Sequence, residues 1–184
     1  MSHKKIPSQC IVVDASIACA AGNQDAVHPT GIQCREFLKS LRSICHRLAS
    51  GPMIQAEWYK HGSKFAFQWL TSMQSMGKLR LLDDSVPSDL LELIEASSAD
   101  RGVVEIILKD AHLLTAALVS DLRIASLDDT VRAHTALCLT KESTCLTLVW
   151  VNPTQAEEGP IEWLEQGAPL EEVRTLLRYR ERLT

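Results

Sequence analysis

The sequence predicts an α/β protein built on a mainly parallel sheet. Short continuous apolar runs each break at an acid, as strands buried on both faces do, and helical stretches separate them. The chain of 184 residues, 46% hydrophobic and 23% charged, is long enough to bury one sizeable core.

The first strand is read from Cys10-Ile-Val-Val, which breaks at Asp14. Residues 20–30, with Gly22, Asn23 and Pro29, read as a loop. Residues 32–48 show helical spacing, with Phe37, Leu41, Ile44 and Leu48 on one face and Arg35, Lys39, Arg42 and His46 on another. Gly51-Pro52 is expected to end that segment, and residues 53–56 to form a second strand running into Glu57. Trp58, Phe65, Trp69 and Met73 then recur at helical intervals up to Gly77, and residues 78–82 suit a short strand.

Pro87 or Ser88 opens a helix over residues 89–96, and residues 103–122 follow a helical pattern whose first part is apolar and β-branched. Residues 123–128 read as a strand ending at Asp128, with Asp129 beside it as the expected helix cap. Residues 130–141 suit a helix, and residues 145–151 a last strand stopped by Asn152-Pro153. An acidic linker over residues 155–159 leads to a final helix from about Pro169 to Arg182. The expected organisation is one domain over residues 1–153, with residues 154–184 as a linker and helical tail packed on it.

Composition narrows the function classes. A formal charge of −4 argues against a grip on nucleic acid through overall basic charge, leaving a local basic patch or a metal-assisted grip. No apolar run approaches the roughly 20 residues of a membrane span, and no signal-peptide stretch follows Lys4-Lys5, so a cytoplasmic protein without membrane partners is expected. The six cysteines lack zinc-site spacing and read as mostly buried thiols.

Ligands of parallel sheets bind outside the strands' carboxyl ends. Asp14, Glu57 and Asp128 each follow an apolar run there, and Asp110 stands near the start of the helix leading to the Asp128 strand. Four acids at one edge repel one another unless a cation neutralises them. Mg²⁺ or Mn²⁺ is the expected cation, because both favour oxygen ligands and no Cys/His set is offered.

At this point the sequence resembles the PIN-domain family. The resemblance rests on Ile11-Val-Val-Asp-Ala-Ser16, Gln55-Ala-Glu57, Lys109-Asp-Ala-His-Leu-Leu-Thr-Ala-Ala-Leu118 and Ser126-Leu-Asp-Asp-Thr-Val-Arg132, spanning about residues 10–140. It implies a three-layer α/β/α nuclease fold, divalent-metal catalysis and, most often, single-stranded RNA as substrate; structured RNA is the variant. Many members are toxins restrained by an antitoxin, so an antitoxin or a second copy of the chain are the protein partners it suggests. The family's roles carry over to Asp14, Glu57, Asp110 and Asp128 as the catalytic set. Asp14, Asp110 and Asp128 would hold metal, Glu57 would orient a metal-bound water or second ion, and Ser16 and Ser126 would donate hydrogen bonds to the cluster.

Other residues carry weaker expectations. Arg35 and Lys39 are candidates for phosphate contact along one helical stripe, set against the reading of a solvated face. His61 lies one turn after Glu57 and could reach a phosphate, His112 lies off the face of Asp110 and reads as structural, and the four tryptophans read as core or interface. The first rival function is a PIN-like binding module without turnover. A phosphoacceptor domain or a two-acid phosphatase fits less well, because Ala15-Ser16 follows Asp14 and no lysine follows the last strand.

Overall fold

A computed structural model describes residues 7–97, 99–140 and 143–184. Five strands, β1 (Cys10–Val13), β2 (Arg47–Ser50), β3 (Leu79–Leu81), β4 (Arg123–Ala125) and β5 (Val149–Val151), form one sheet in the order β3-β2-β1-β4-β5. Every pairing is parallel. The helices are α1 (Ala15–Ala20), α2 (Pro29–Ser43), α3 (Pro52–His61), α4 (Lys64–Ser75), α5 (Ser88–Glu95), α6 (Arg101–Lys109), α7 (Ala111–Leu118), α8 (Asp129–Cys138), α9 (Pro160–Glu165) and α10 (Leu176–Leu183).

The fold is the expected α/β/α sandwich. Ile11, Val12, Val13, Ile124, Ala125, Val149, Trp150 and Val151 are all fully buried, which is why the strands read as unbroken apolar runs. Successive strands move one way from β1 to β3 and the other way from β1 through β4 to β5. With right-handed crossovers, that reversal puts helices on both faces and opens a crevice where β1 and β4 end side by side. Among the described residues no helix is long and apolar enough to cross a membrane.

The second strand departs from the sequence expectation. β2 is Arg47–Ser50, while residues 53–56 belong to α3, with Pro52 in its first turn. Pro at the start of a helix sacrifices no intrahelical bond, so Gly51-Pro52 begins an element instead of ending one. Helix α2 correspondingly stops at Ser43, and Leu48 lies in the sheet. The long helical patterns also divide: Gly62 and Ser63 separate α3 from α4, and Asp110 separates α6 from α7. Residues 144–147 form a 3-10 turn before β5, and the tail holds α9 and α10 in place of one helix from Pro169.

The basic stripe expected on residues 32–48 is not a stripe. Arg35 is buried and donates to the carbonyls of Ala21, Asn23 and Ala26, so it holds the loop between α1 and α2. His46 is buried between the Gln9 amide and the Leu164 carbonyl. Lys39 is exposed and pairs with Glu36 one turn back at 3.2 Å. Tail and sheet are joined where the Leu176 amide donates to the Leu148 carbonyl.

Candidate functional site

The crevice at the ends of β1 and β4 is a cleft of about 290 Å³ lined by Asp14, Ser16, Glu57, His61, Lys109, Asp110 and Asp128, with Ala15 and Cys19. All four acids singled out from sequence therefore reach it, together with two basic side chains.

Asp14 follows the last residue of β1, and its amide donates to the Ala125 carbonyl, which locks it beside β4. Its Oδ2 accepts from Ser126 Oγ at 2.7 Å and from Ser16 Oγ. Both serines act on this acid, and each also accepts a backbone amide, Ser16 from Leu127 and Ser126 from Asp128. The carboxylate of Asp14 is thus aimed by two hydroxyls that also fix the loop after β4.

Asp128 has a second duty. Its Oδ1 accepts from the Val131 amide at 2.8 Å, so Asp128, not Asp129, caps α8. Asp129 turns to the other side, where its Oδ2 accepts from Asn152 Nδ2 at 2.8 Å and from Gln155 Nε2 at 3.1 Å. It lines a separate cavity of about 250 Å³ with Arg132, Glu158, Arg174 and Tyr179.

Asp110 sits at the break between α6 and α7, where its amide bonds to the Ile107 carbonyl and leaves the α-helical ladder. Burial, with the charges of Asp14 and Glu57 next, pushes its carboxyl up to about 6. Lys109, the preceding residue, is exposed on the cleft rim and works in the opposite direction.

Glu57 comes from the second turn of α3, and its place depends on how that helix starts. Asp84 is buried after β3, and its two oxygens accept from the Met53 and Ile54 amides at 3.2 and 2.9 Å. This satisfies amides of the first turn and complements the positive end of the helix. Gly51 makes room: a Cβ there would stand 2.2 Å from Asp84 Cγ. On the next turns, Trp58 Nε1 donates to the Val13 carbonyl at 2.9 Å, tying α3 to the end of β1. Sequence reasoning missed Asp84, although Asp83-Asp84 directly after residues 78–82 is the same strand-then-acid pattern.

His112, read as structural from the sequence, is buried beside Glu57. It is 1% exposed, and its Nε2 lies 3.2 Å from Glu57 Oε2, but neither ring nitrogen makes an aligned hydrogen bond. The tryptophans behave as core: Trp58, Trp69, Trp150 and Trp163 are buried, and Trp58 and Trp69 pack with ring centroids 5.9 Å apart.

The oxygen-only donor set of Asp14, Asp110 and Asp128 fits a hard divalent cation in its chemistry, and such a cation would offset both the burial and the neighbouring charges that raise Asp110. The side chains do not close round an ion as they stand: among the described residues, no three His, Cys, Asp or Glu side chains form a metal-holding group. Compared with protein-family models, curated proteins and solved structures, the chain matches none.

Proposed function

We propose that the chain is a divalent-metal-dependent ribonuclease of the PIN kind, hydrolysing phosphodiester bonds of single-stranded RNA. The observation that carries the reading is the convergence of Asp14, Glu57, Asp110 and Asp128 on one cleft, at the crevice where the strand order reverses. Acids held together there at a cost in repulsion are the expected form of a cation site awaiting substrate.

Asp14, Asp110 and Asp128 would hold Mg²⁺ or Mn²⁺, which lowers the pKa of a bound water and offsets charge on the scissile phosphate. Ser16 and Ser126 keep Asp14 oriented, so its carboxylate needs no search among rotamers. Glu57 stands across the cleft to take a proton or orient the attacking water. Lys109 and His61 on the rim are placed to meet phosphate, and they replace Arg35 and Lys39 in that role. RNA is thereby the proposed partner, and restraint by an antitoxin is a further expectation of the PIN reading.

The test is cleavage of an unstructured RNA oligonucleotide by the parent chain and by an identically purified Asp14→Asn protein. Cleavage in Mn²⁺ or Mg²⁺, silence in EDTA or Ca²⁺, and loss by at least about 100-fold in Asp14→Asn are expected. Undiminished cleavage in EDTA, or by Asp14→Asn, overturns the proposal. One observation favours the rival, an RNA-binding module without turnover: Asp128 already spends Oδ1 on the α8 cap. RNA bound but left intact in both metals would select it.

A further inference from the structure

Behind the carboxylates lies a buried imidazole that the proposed reaction does not yet use. Helix α7 is otherwise lined with small and apolar buried residues, Ala111, Leu113, Leu114, Ala116 and Ala117 among them. His112 is as buried as these, at 1% exposure, yet both its ring nitrogens lack an aligned hydrogen bond. A neutral imidazole carries one donor and one acceptor, and leaving both unmet in the interior costs stability that a leucine would not. What the histidine touches is the cleft: Nε2 is 3.2 Å from Glu57 Oε2. Glu57, for its part, has no other ionic or hydrogen-bond partner among the described residues.

We infer that His112 is a positioning residue for Glu57, holding Oε2 from behind so that the other carboxylate oxygen faces the cleft. The inference rests on the proposed ribonuclease function. It makes Glu57 a member of the site through two supports on different layers: the start of α3, fixed by Asp84, and the first turn of α7, which supplies His112. The break at Asp110 sets that first turn, so Asp110 and His112 enter the site from one structural event. Partners that aim an active-site group in this way typically contribute 10–100-fold to activity.

The experiment compares the parent with His112→Leu, His112→Gln, His112→Asn, Glu57→Gln and the His112→Leu/Glu57→Gln double variant. Steady-state cleavage of unstructured RNA in Mn²⁺ and thermal melting without metal are both read. His112→Leu is expected to lower kcat by about 10–100-fold with KM changed less than about threefold. Its melting temperature should equal or exceed the parent's, because the buried Nδ1 without a partner is gone. His112→Gln, whose amide nitrogen falls near Nε2, should recover most of the rate, whereas His112→Asn, which mimics Nδ1, should not. In the Glu57→Gln background, His112→Leu should lower kcat by less than about twofold, and Glu57→Gln should shift melting in the parent but not in His112→Leu. Full activity in His112→Leu, equal rescue by both amides, or additive effects with Glu57→Gln overturn the inference while Asp14→Asn, being inactive, upholds the ribonuclease. A parent that leaves RNA uncut in Mn²⁺ brings down the proposed function and this inference together.

Discussion

Two groups of carboxylates lie on either side of the Asp128–Asp129 step, and they keep different company. On the Asp129 side, Arg132 is 1% exposed and pairs with Glu158 at 2.5 Å and with Asp129 at 3.6 Å, its guanidinium 4.1 Å from the Tyr179 ring centroid. Arg174 donates to Glu171 and to the Glu158 carbonyl. Asp129, Glu158 and Glu171 there each have a cation or amide set against them. On the Asp128 side, Asp14 and Glu57 press on Asp110, Lys109 is solvent-exposed, and the buried histidine meets Glu57 without an aligned bond. Compensated charge locks the tail onto α8; less compensated charge, kept at a cost, is what the proposed cation site rests on.

The comparison is broken most forcefully at Arg132. Arg132→Met removes the shared cation and leaves Glu158 and Asp129 facing each other in a half-buried setting. Breaking a buried pair from one side costs about 3–5 kcal/mol, and urea unfolding of the metal-free protein should show a loss of that size. Replacing Glu158 as well, with Leu, should restore much of it. A loss below about 1 kcal/mol in Arg132→Met would mean that the tail is held by apolar packing and that the two carboxylate groups do not differ as argued.

A third kind of acid sharpens the contrast. Asp84 is buried and balanced, among the described residues, by backbone amides of α3. Asp84→Ala should cost about 1–2 kcal/mol, as loss of a helix cap does, and should lower cleavage as well because Glu57 rides on the same helix. Gly51→Ala should act in the same direction, since its Cβ would collide with Asp84. An Asp84→Ala protein with reduced stability but unchanged activity would show that Glu57 is aimed without help from the start of α3.

How much of this is legible in the sequence depends on the kind of signal. Asp14 and Asp128 are legible because strands buried on both faces read as apolar runs, and the break in the run marks the sheet edge where ligands bind. β2 is hidden: Arg47-Leu48-Ala49-Ser50 has one large apolar residue, and Leu48 falls in helical register with Phe37, Leu41 and Ile44. Glu57 reaches the cleft even so, because α3 starts directly at the end of β2 and its second turn lies over the same edge. Arg35 is misread, whereas His112, read as structural, is buried as such a residue is. Spacing along a helix tells which residues share a face, but not which face the loop from α1 covers, and that tertiary fact decides the burial of Arg35.

The finest test of the comparison is the charge of Asp110 itself. Its carboxyl stands at about 6 in the folded chain, against about 3.9 for an unperturbed Asp. Between those values the native state binds more protons than the unfolded state, so metal-free stability falls as pH rises from about 4 to about 6 and is then level with respect to this group. Asp110→Asn removes the charge and should therefore be more stable than the parent above pH 6 and indistinguishable from it near pH 4. Asp110 is only partly buried, and solvent screening reduces the difference to the order of 1 kcal/mol, measured by urea unfolding at a series of pH values. Mn²⁺ should invert the order at neutral pH, because a cation bound by the native parent adds stability that the variant cannot gain in full. If Asp110→Asn were less stable than the parent at pH 7 without metal, the carboxylate would already have a favourable partner, and the distinction between the two sides of the Asp128–Asp129 step would collapse.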